Sequence, residues 1–225
     1  MTAYFITATG TGVGKTFVTA GLIRILRDAG RKVDALKPVV SGFDAATSAA
    51  SDPGVLLEAL GEAVTEEALA RVSPWQFAAP LSPDMAAARE ERRIEFDELV
   101  KACRDAAAAS RDGTLLIEGV GGVMVPLDGK HTVLDWMVAL GLPVIVVAGS
   151  YLGTISHTLT ALEVIARARL KVAALVINDS GDGAVPMDET MTTLRRFAGV
   201  PIVTLPRVQE PAAARGAFAR LAGLL

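Results

Sequence analysis

Residues 7 to 16 read TATGTGVGKT and follow the apolar run YFITA. Three glycines so close together would weaken either a helix or a strand, so they mark a turn. Without side chains in the way, successive backbone N–H groups can converge on one anion. A helix opening at GKT adds the positive end of its dipole. In that setting Gly12, Val13 and Gly14 form a cradle for phosphates, and Lys15 is a point charge for the β- and γ-phosphates. Thr16 offers its hydroxyl to Mg²⁺. The chemistry expected of such a loop is triphosphate binding and phosphoryl transfer. The plainer reading is a strand-to-helix turn with a surface lysine. The usual spacing G-x-x-x-x-G-K-T places glycine at position 9, where this chain has Thr9; Gly10 and Gly12 stand inside the loop instead, which points to a variant subgroup.

Two further stretches carry groups suited to the same chemistry. LLIEGVGG (115–122) ends an apolar strand in Glu118, and a carboxylate there would hold Mg²⁺ directly or through water. On its own, Glu118 is also an ordinary strand-end residue. LKPVVSG (36–42) sets Lys37 at the end of the second predicted strand, on the edge where open α/β sheets bind ligands. Lys37 could stabilise an anionic intermediate and Ser41 could hydrogen-bond a substrate head, although a solvated strand-end lysine is the simpler reading of Lys37 alone. The two histidines, His131 and His157, fall in no triad or metal-ligand pattern and are read as structural. Cys103, the single cysteine, lies in the helical pattern ELVKACRDAAAA and is read as a small packing residue.

The elements that must position these groups alternate. Strands are expected at 4–8, 32–39 (closed by Pro38), 114–119, 143–149, 171–178 and 201–205, and helices at 16–30, 51–61, 94–110, 132–141, 153–170 and from Pro211 onward. In the helix at 51–61, Asp52 is the expected cap and Pro53 the first helical residue. PVIVVAG and KVAALVIN are near-continuous apolar strands, as in a sheet covered on both faces. Such alternation predicts an α/β fold, a single-domain parallel β-sheet flanked by helices and similar to P-loop NTPases, over residues 1–225. Segment 42–93 is the least regular part and the expected home of substrate loops. AREERRIE (88–95) interleaves both signs and reads as a solvated helix face.

Bulk properties exclude several functions. The net charge of −3 argues against an extended nucleic-acid footprint. No apolar run approaches a membrane span, and the opening MTAYFITATG lacks the basic start and cleavage site of a signal peptide. A cytoplasmic location is therefore expected, with neither membrane nor nucleic acid as partner. One cysteine rules out a disulfide framework.

Taken as a set, TGTGVGKT, KPVVSG, FAAPLSP, IEGVGG, LGTISH and VIND resemble the dethiobiotin synthetase family, in the right order from residue 4 to about 208. The resemblance implies a homodimer that uses ATP, Mg²⁺ and CO₂ (or bicarbonate) to close a ureido ring on 7,8-diaminononanoate. It implies that the loop from Gly12 through Phe17 holds ATP, with Thr11 and Lys15 beside the transferred group. Lys37 would be the catalytic lysine and Ser41 a contact to the substrate amine or carbamate. Asp52 would join Thr16 and Glu118 around Mg²⁺, and Glu118, Gly119, Val120 and Gly121 would supply further nucleotide contacts. Asn178 would read the adenine edge with Asp179 beside it, and Pro206, Arg207 and Val208 would lie against base or ribose. Leu152, Gly153, Thr154 and Ile155 would present a helix start to the substrate carboxylate across the dimer interface. Ala8, Gly12, Asp84 and Ser156 depart from the family pattern; the changes at Asp84 and Ser156 bear on the substrate tail.

Rival readings share the loop. Amidoligases of the cobyrinate diamide synthase type carry a glutaminase domain with a nucleophilic cysteine, for which 225 residues are expected to be too few, and Cys103 lacks the glycines of a nucleophile elbow. Partition ATPases of the ParA and MinD type carry an additional lysine where Gly10 stands, so a partner-recruiting nucleotide switch is the less favoured reading.

Overall fold

A computed structural model describes residues 2–110, 112–179, 185–207 and 214–225. The first strand, β1 (Thr2–Ala8), shows why a sheet forms with cover on both sides. Ala3 and Phe5 point into one core cluster, and Tyr4, Ile6 and Ala8 into another, the two-residue period of a strand buried on both faces. Helix α1 (Lys15–Asp28) follows the glycine turn. Next come β2 (Val33–Leu36), β3 (Val39–Ser41), a 3₁₀ segment (Ala45–Ala50), α2 (Asp52–Leu60), α3 (Glu66–Val72), β4 (Trp75–Phe77), α4 (Pro83–Arg89) and α5 (Phe96–Ala109). The remainder is β5 (Thr114–Glu118), α6 (Val133–Leu140), β6 (Val144–Gly149), α7 (Thr154–Arg167), β7 (Val172–Asn178), α8 (Met187–Phe197), β8 (Ile202–Leu205) and α9 (Arg215–Ala222).

Among the described residues six strands form one parallel sheet in the order β2-β5-β1-β6-β7-β8, while β3 and β4 pair separately, also in parallel. Helices α1, α2 and α9 cover one face, with Leu22, Leu56 and Phe218 in its core; residues of α5, α6, α7 and α8 fill the core of the other. The chain crosses from one side of β1 to the other after β5, which opens a crevice at the carboxyl ends of the strands.

Several expectations are corrected. The strand predicted at 32–39, with Pro38 closing it, does end there, but β2 stops at Leu36 and Val39 already opens β3; the Lys37 backbone N–H donates to the Val72 carbonyl instead of to a sheet neighbour. Proline has no N–H for the ladder, so the chain leaves the main sheet there. Segment 42–93 is more regular than expected: besides the helix predicted at 51–61, found as α2, it holds the 3₁₀ segment, α3, β4 and α4. The charged stretch 88–95 is not a helix face: α4 ends at Arg89, and Glu91 takes a left-handed backbone (φ 52°). Its charges do stay at the surface, with Arg92 stacked over the Phe77 ring. Helix α8 (Met187–Phe197) lies where the sequence pattern predicts no element. The expected last helix is found as α9, and residues 208–213, which include Pro211, lie outside the described residues. Among the described residues no helix is long and apolar enough to cross a membrane.

Candidate nucleotide and metal site

Strand register sets the site. In the β1–β5 ladder Ile6 faces Glu118, and in the β2–β5 ladder Leu36 faces Ile117, so Lys37 comes to rest beside Glu118. Leu116 packs in the core beneath α1, so Glu118, two residues on, points to the same face and toward Thr16 at the start of α1.

The turn before α1 is built for backbone approach. Gly14 caps the helix in a left-handed conformation (φ 99°), which an L side chain rarely adopts, and a Cβ there would stand 2.3 Å from the Asn178 amide nitrogen. That amide donates to the Val13 carbonyl at 3.1 Å, tying the end of β7 to the loop. Lys15 is buried; its Nζ donates to the carbonyls of Gly121 (2.7 Å) and Gly10 (3.3 Å). Burial, reinforced by the neighbouring charge of Lys37, lowers the Lys15 ammonium to about 8.

Beneath the loop, Asp52, Glu118, Thr16 and Lys37 form one cluster. Lys37 Nζ lies 2.8 Å from Glu118 Oε1 and 3.2 Å from Asp52 Oδ2, and it donates to the Gly119 carbonyl at 2.7 Å. Burial works to lower the Lys37 pKa, but the two carboxylates outweigh it and hold the ammonium above its ordinary value. Burial works to raise the Asp52 pKa, but Lys37 and the Thr16 hydroxyl more than offset that, keeping the carboxyl below the usual range. Thr16 Oγ1 lies 2.7 Å from Asp52 Oδ1 and 2.9 Å from Glu118 Oε1. A hydroxyl has one proton to give, so one of those two oxygens faces a lone pair. Glu118 Oε2 is buried and has no partner. Hard oxygen ligands converging with too few protons suit a divalent cation such as Mg²⁺, which takes one or two carboxylates and draws its other ligands from phosphates and water. Among the described residues there is no group of three or more His, Cys, Asp or Glu side chains that could form a protein-only cage.

Asp52 reaches this cluster because it is not the cap. Ser51 caps α2, accepting from the Gly54 N–H at 3.3 Å, and Asp52 occupies the first turn with its carboxylate turned to Thr16.

A cavity of about 580 Å³ opens over the cluster, and Thr11, Gly12, Gly14, Lys15, Thr16, Lys37, Ser41, Asp52, Val120 and Gly121 all line it. Ser41 Oγ is buried there without a partner. Glu118 lies just behind the lining, wholly buried. The remaining expected residues sit elsewhere. The Phe17 ring packs on Phe218 (centroids 5.5 Å apart), and Pro206 and Arg207 are exposed after β8. Asp179 accepts from the Ser150 hydroxyl, and Val208 lies outside the described residues. Leu152 to Ile155 do form the start of α7, with Gly153 as its left-handed cap, but they do not line this cavity. Val40, Pro80, Leu81, Ser82, Pro83 and Val125 also line it, beyond the residues that the sequence marks for the site. The motif FAAPLSP held the signal for four of them; Val40 and Val125 offer only apolar side chains, which no motif marks. A second hollow of about 390 Å³ lies on the other flank of the loop, between Thr9–Thr11, Met124 and His157.

The two histidines stay outside the cluster: His131 stacks on Phe96 and pairs with Asp128 at 2.8 Å, and His157 bonds the Tyr151 hydroxyl at 2.9 Å. Cys103 is fully buried, and burial pushes its thiol up to about 12, as befits a packing residue.

Comparison with known proteins agrees with the fold and narrows it. Solved structures share the architecture at low identity. A cell division ATPase MinD of Pyrococcus furiosus superposes with a TM-score of 0.57 at 18% identity, covering 100% of this chain and 98% of that one. The cell division protein FtsY of Thermotoga maritima gives 0.53 at 16% identity, covering 98% and 68%. A family model described as an AAA domain matches residues 2–211. The chain is 52% identical over 200 residues to the ATP-dependent dethiobiotin synthetase BioD of Acidiphilium cryptum, covering 88% of this chain and 89% of the relative. It is 46% identical over 211 residues to that of Methylobacterium nodulans, covering 92% and 94%. The chain belongs to the ATP-dependent dethiobiotin synthetase family.

Proposed function

We propose that this chain is a cyclo-ligase that converts 7,8-diaminononanoate and CO₂ to dethiobiotin, using ATP with Mg²⁺. The observation that carries the reading is the Lys37–Glu118–Asp52–Thr16 cluster set directly beneath a glycine-loop cavity large enough for a triphosphate tail and a small substrate. One amine of the substrate adds to CO₂ as a carbamate, releasing a proton. The carbamate oxygen takes the γ-phosphoryl group, ADP leaves, and a carbamic-phosphoric anhydride results. The second amine then attacks the carbonyl carbon, inorganic phosphate departs, and the ring closes with loss of a proton. Such chemistry rests on placement and on stabilising negative charge; it needs no protein nucleophile.

Each group has a share in this. The backbone N–H groups of Gly12 to Lys15 and the Lys15 ammonium bind the phosphates. Thr16, Asp52 and Glu118 would hold Mg²⁺, which when bound supplies positive charge to the phosphate oxygens. Lys37 neutralises charge on the carbamate and on the phosphoryl group in flight, with Thr11 beside it. The unpartnered Ser41 hydroxyl meets the substrate head. Asn178, already at the loop, turns its amide to the base edge, with Asp179, Phe17, Pro206, Arg207 and Val208 in the same region. The reading includes a homodimer working in the cytoplasm. Leu152 is 77% exposed and its turn lies off the chain's own cavity, which supports a role for Leu152 to Ile155 toward the substrate carboxylate of a second copy.

The test is direct. The protein is incubated with diaminononanoate, bicarbonate and each nucleoside triphosphate in turn, and the products are weighed by mass spectrometry. The expected result is a cyclic urea that forms only with diamine, bicarbonate and ATP together. ATP hydrolysis at the same rate without diamine, and no cyclic product, would sink the proposal and leave a nucleotide switch.

A further inference from the structure

Lys37 is fully engaged where it stands. Its Nζ has three protons and three oxygens within reach, from Glu118, Asp52 and the Gly119 carbonyl, and the side chain is 2% exposed. A lysine so placed donates nothing into the cavity it lines. Its backbone is fixed as well, with the N–H on Val72 and Pro38 following, so only the four-carbon stem is free to swing. The carboxylate pair, meanwhile, remains short of positive partners: Thr16 can satisfy one of its two oxygen contacts, and Glu118 Oε2 has none.

From this geometry we infer that Lys37 is the resident counter-cation of the Asp52–Glu118 pair, and that a divalent cation must displace it before its ammonium can turn into the cavity. The inference rests on the metal role proposed for Thr16, Asp52 and Glu118. Two cations cannot share the pair without repelling each other and competing for the same oxygens. Arrival of the metal therefore both takes the carboxylates and releases Lys37 toward the phosphates, where negative charge is waiting. Metal and nucleotide then bind with positive coupling, because phosphate oxygens give the expelled ammonium a new partner. It also follows that the protein without nucleotide binds a divalent cation weakly, and that Lys37 sets that weakness.

The experiment measures Mn²⁺ alone, without nucleotide or substrate, by the electron paramagnetic resonance of the free ion. Three proteins are compared: the unaltered chain, Lys37→Met, which removes the competing charge, and Lys37→Arg, which keeps it. The expected result is Mn²⁺ binding at least about tenfold tighter in Lys37→Met than in the unaltered chain, the gain expected when a competing charge is removed at close range, with Lys37→Arg close to the unaltered value. Equal or weaker binding in a folded Lys37→Met protein would overturn the inference. The unaltered chain gives a second readout that does not depend on the Met variant folding. Its buried Lys37 Nζ resonance, assigned by its absence in Lys37→Arg, is expected to shift on addition of Mg²⁺ with ADP. A resonance unmoved at saturation would overturn the inference as well. Absence of any cyclic urea from the unaltered chain, with the Mn²⁺ result intact, would fell the ligase reading and leave the cation exchange standing.

Discussion

At the scale of the residue, two buried ammonium groups lie under one loop and their partners separate their tasks. Lys15 rests on neutral carbonyls and burial lowers it to about 8; Glu118 and Asp52 act on it only from beyond hydrogen-bond contact, so a triphosphate would be its first directly bonded anion. Lys37 already has two. Replacing Lys37 by glutamine keeps much of the volume and removes the charge that would meet the phosphoryl group. Turnover of diaminononanoate is expected to fall by about 10²–10³, as when a preorganised electrostatic donor is lost, while ATP binding measured by calorimetry stays within a few-fold of normal. Turnover near normal would take Lys37 out of the mechanism. Cys103 makes the opposite case. With its thiol pushed up to about 12 by burial, almost no thiolate exists at mildly alkaline pH. The folded protein is therefore expected to resist alkylation there and to label fully in denaturant, and mass spectrometry of the native protein shows at once whether it does. The loop and its lysine are legible in sequence because glycine, lysine and threonine at fixed spacing have a physical reason to be together. Val40 and Val125 are not, because an apolar wall has no spacing to read.

Elements carry the next part of the account. The sheet strands were legible because burial on both faces leaves unbroken apolar runs, as in VIVVAG of β6. The close of the second strand at Pro38 was legible as well; what sequence could not show was that the chain resumes at once as β3 in a separate pairing with β4. That break is what drops the Lys37 side chain into the carboxylates, so the strand's end and the site are one feature. Short helices such as α3 and α4, at seven residues each, span too few turns for a period to be recognised. Helix α9 illustrates packing in support of the site: Phe218 fills the space left by Gly21 on α1 and meets Phe17, the residue after Thr16. The aromatic ring thereby clamps the helix whose first turn holds the loop. Phe218→Ala is expected to cost about 3–5 kcal/mol of stability by urea unfolding, the usual range for a buried phenylalanine. A cost under about 1 kcal/mol, typical of surface changes, would show that α9 contributes little to holding α1.

For the whole molecule, the question is how an acidic chain, net −3, gathers an anion. The topology answers it locally. Crossovers leave β1 in both directions, so the loop after β1, Glu118 at the end of β5 and Asn178 at the end of β7 meet at one crevice, together with the start of α1. The side chains there balance, Lys15 and Lys37 against Asp52 and Glu118, so the loop's backbone N–H groups and the start of α1 supply the excess positive potential that an anion needs. The start of α7 lies at the same edge of the sheet but opens outward, with Leu152 77% exposed and Met124, on the rim of the neighbouring hollow, 56% exposed. Apolar side chains of that size left facing water at a sheet edge are more stable against a partner surface. If the partner is a second copy, a charge at Leu152 must weaken its grip, since two such charges would be buried in a symmetric contact. Leu152→Glu is therefore expected to shift sedimentation from dimer toward monomer. It is also expected to raise KM for the diamine at least about tenfold, the loss of one charge-assisted contact, with ATP affinity unchanged because the glycine loop lies within each chain. A variant that sediments as the unaltered chain does and keeps its KM would remove Leu152 and its turn both from the proposed contact between copies and from the proposed binding of the substrate carboxylate.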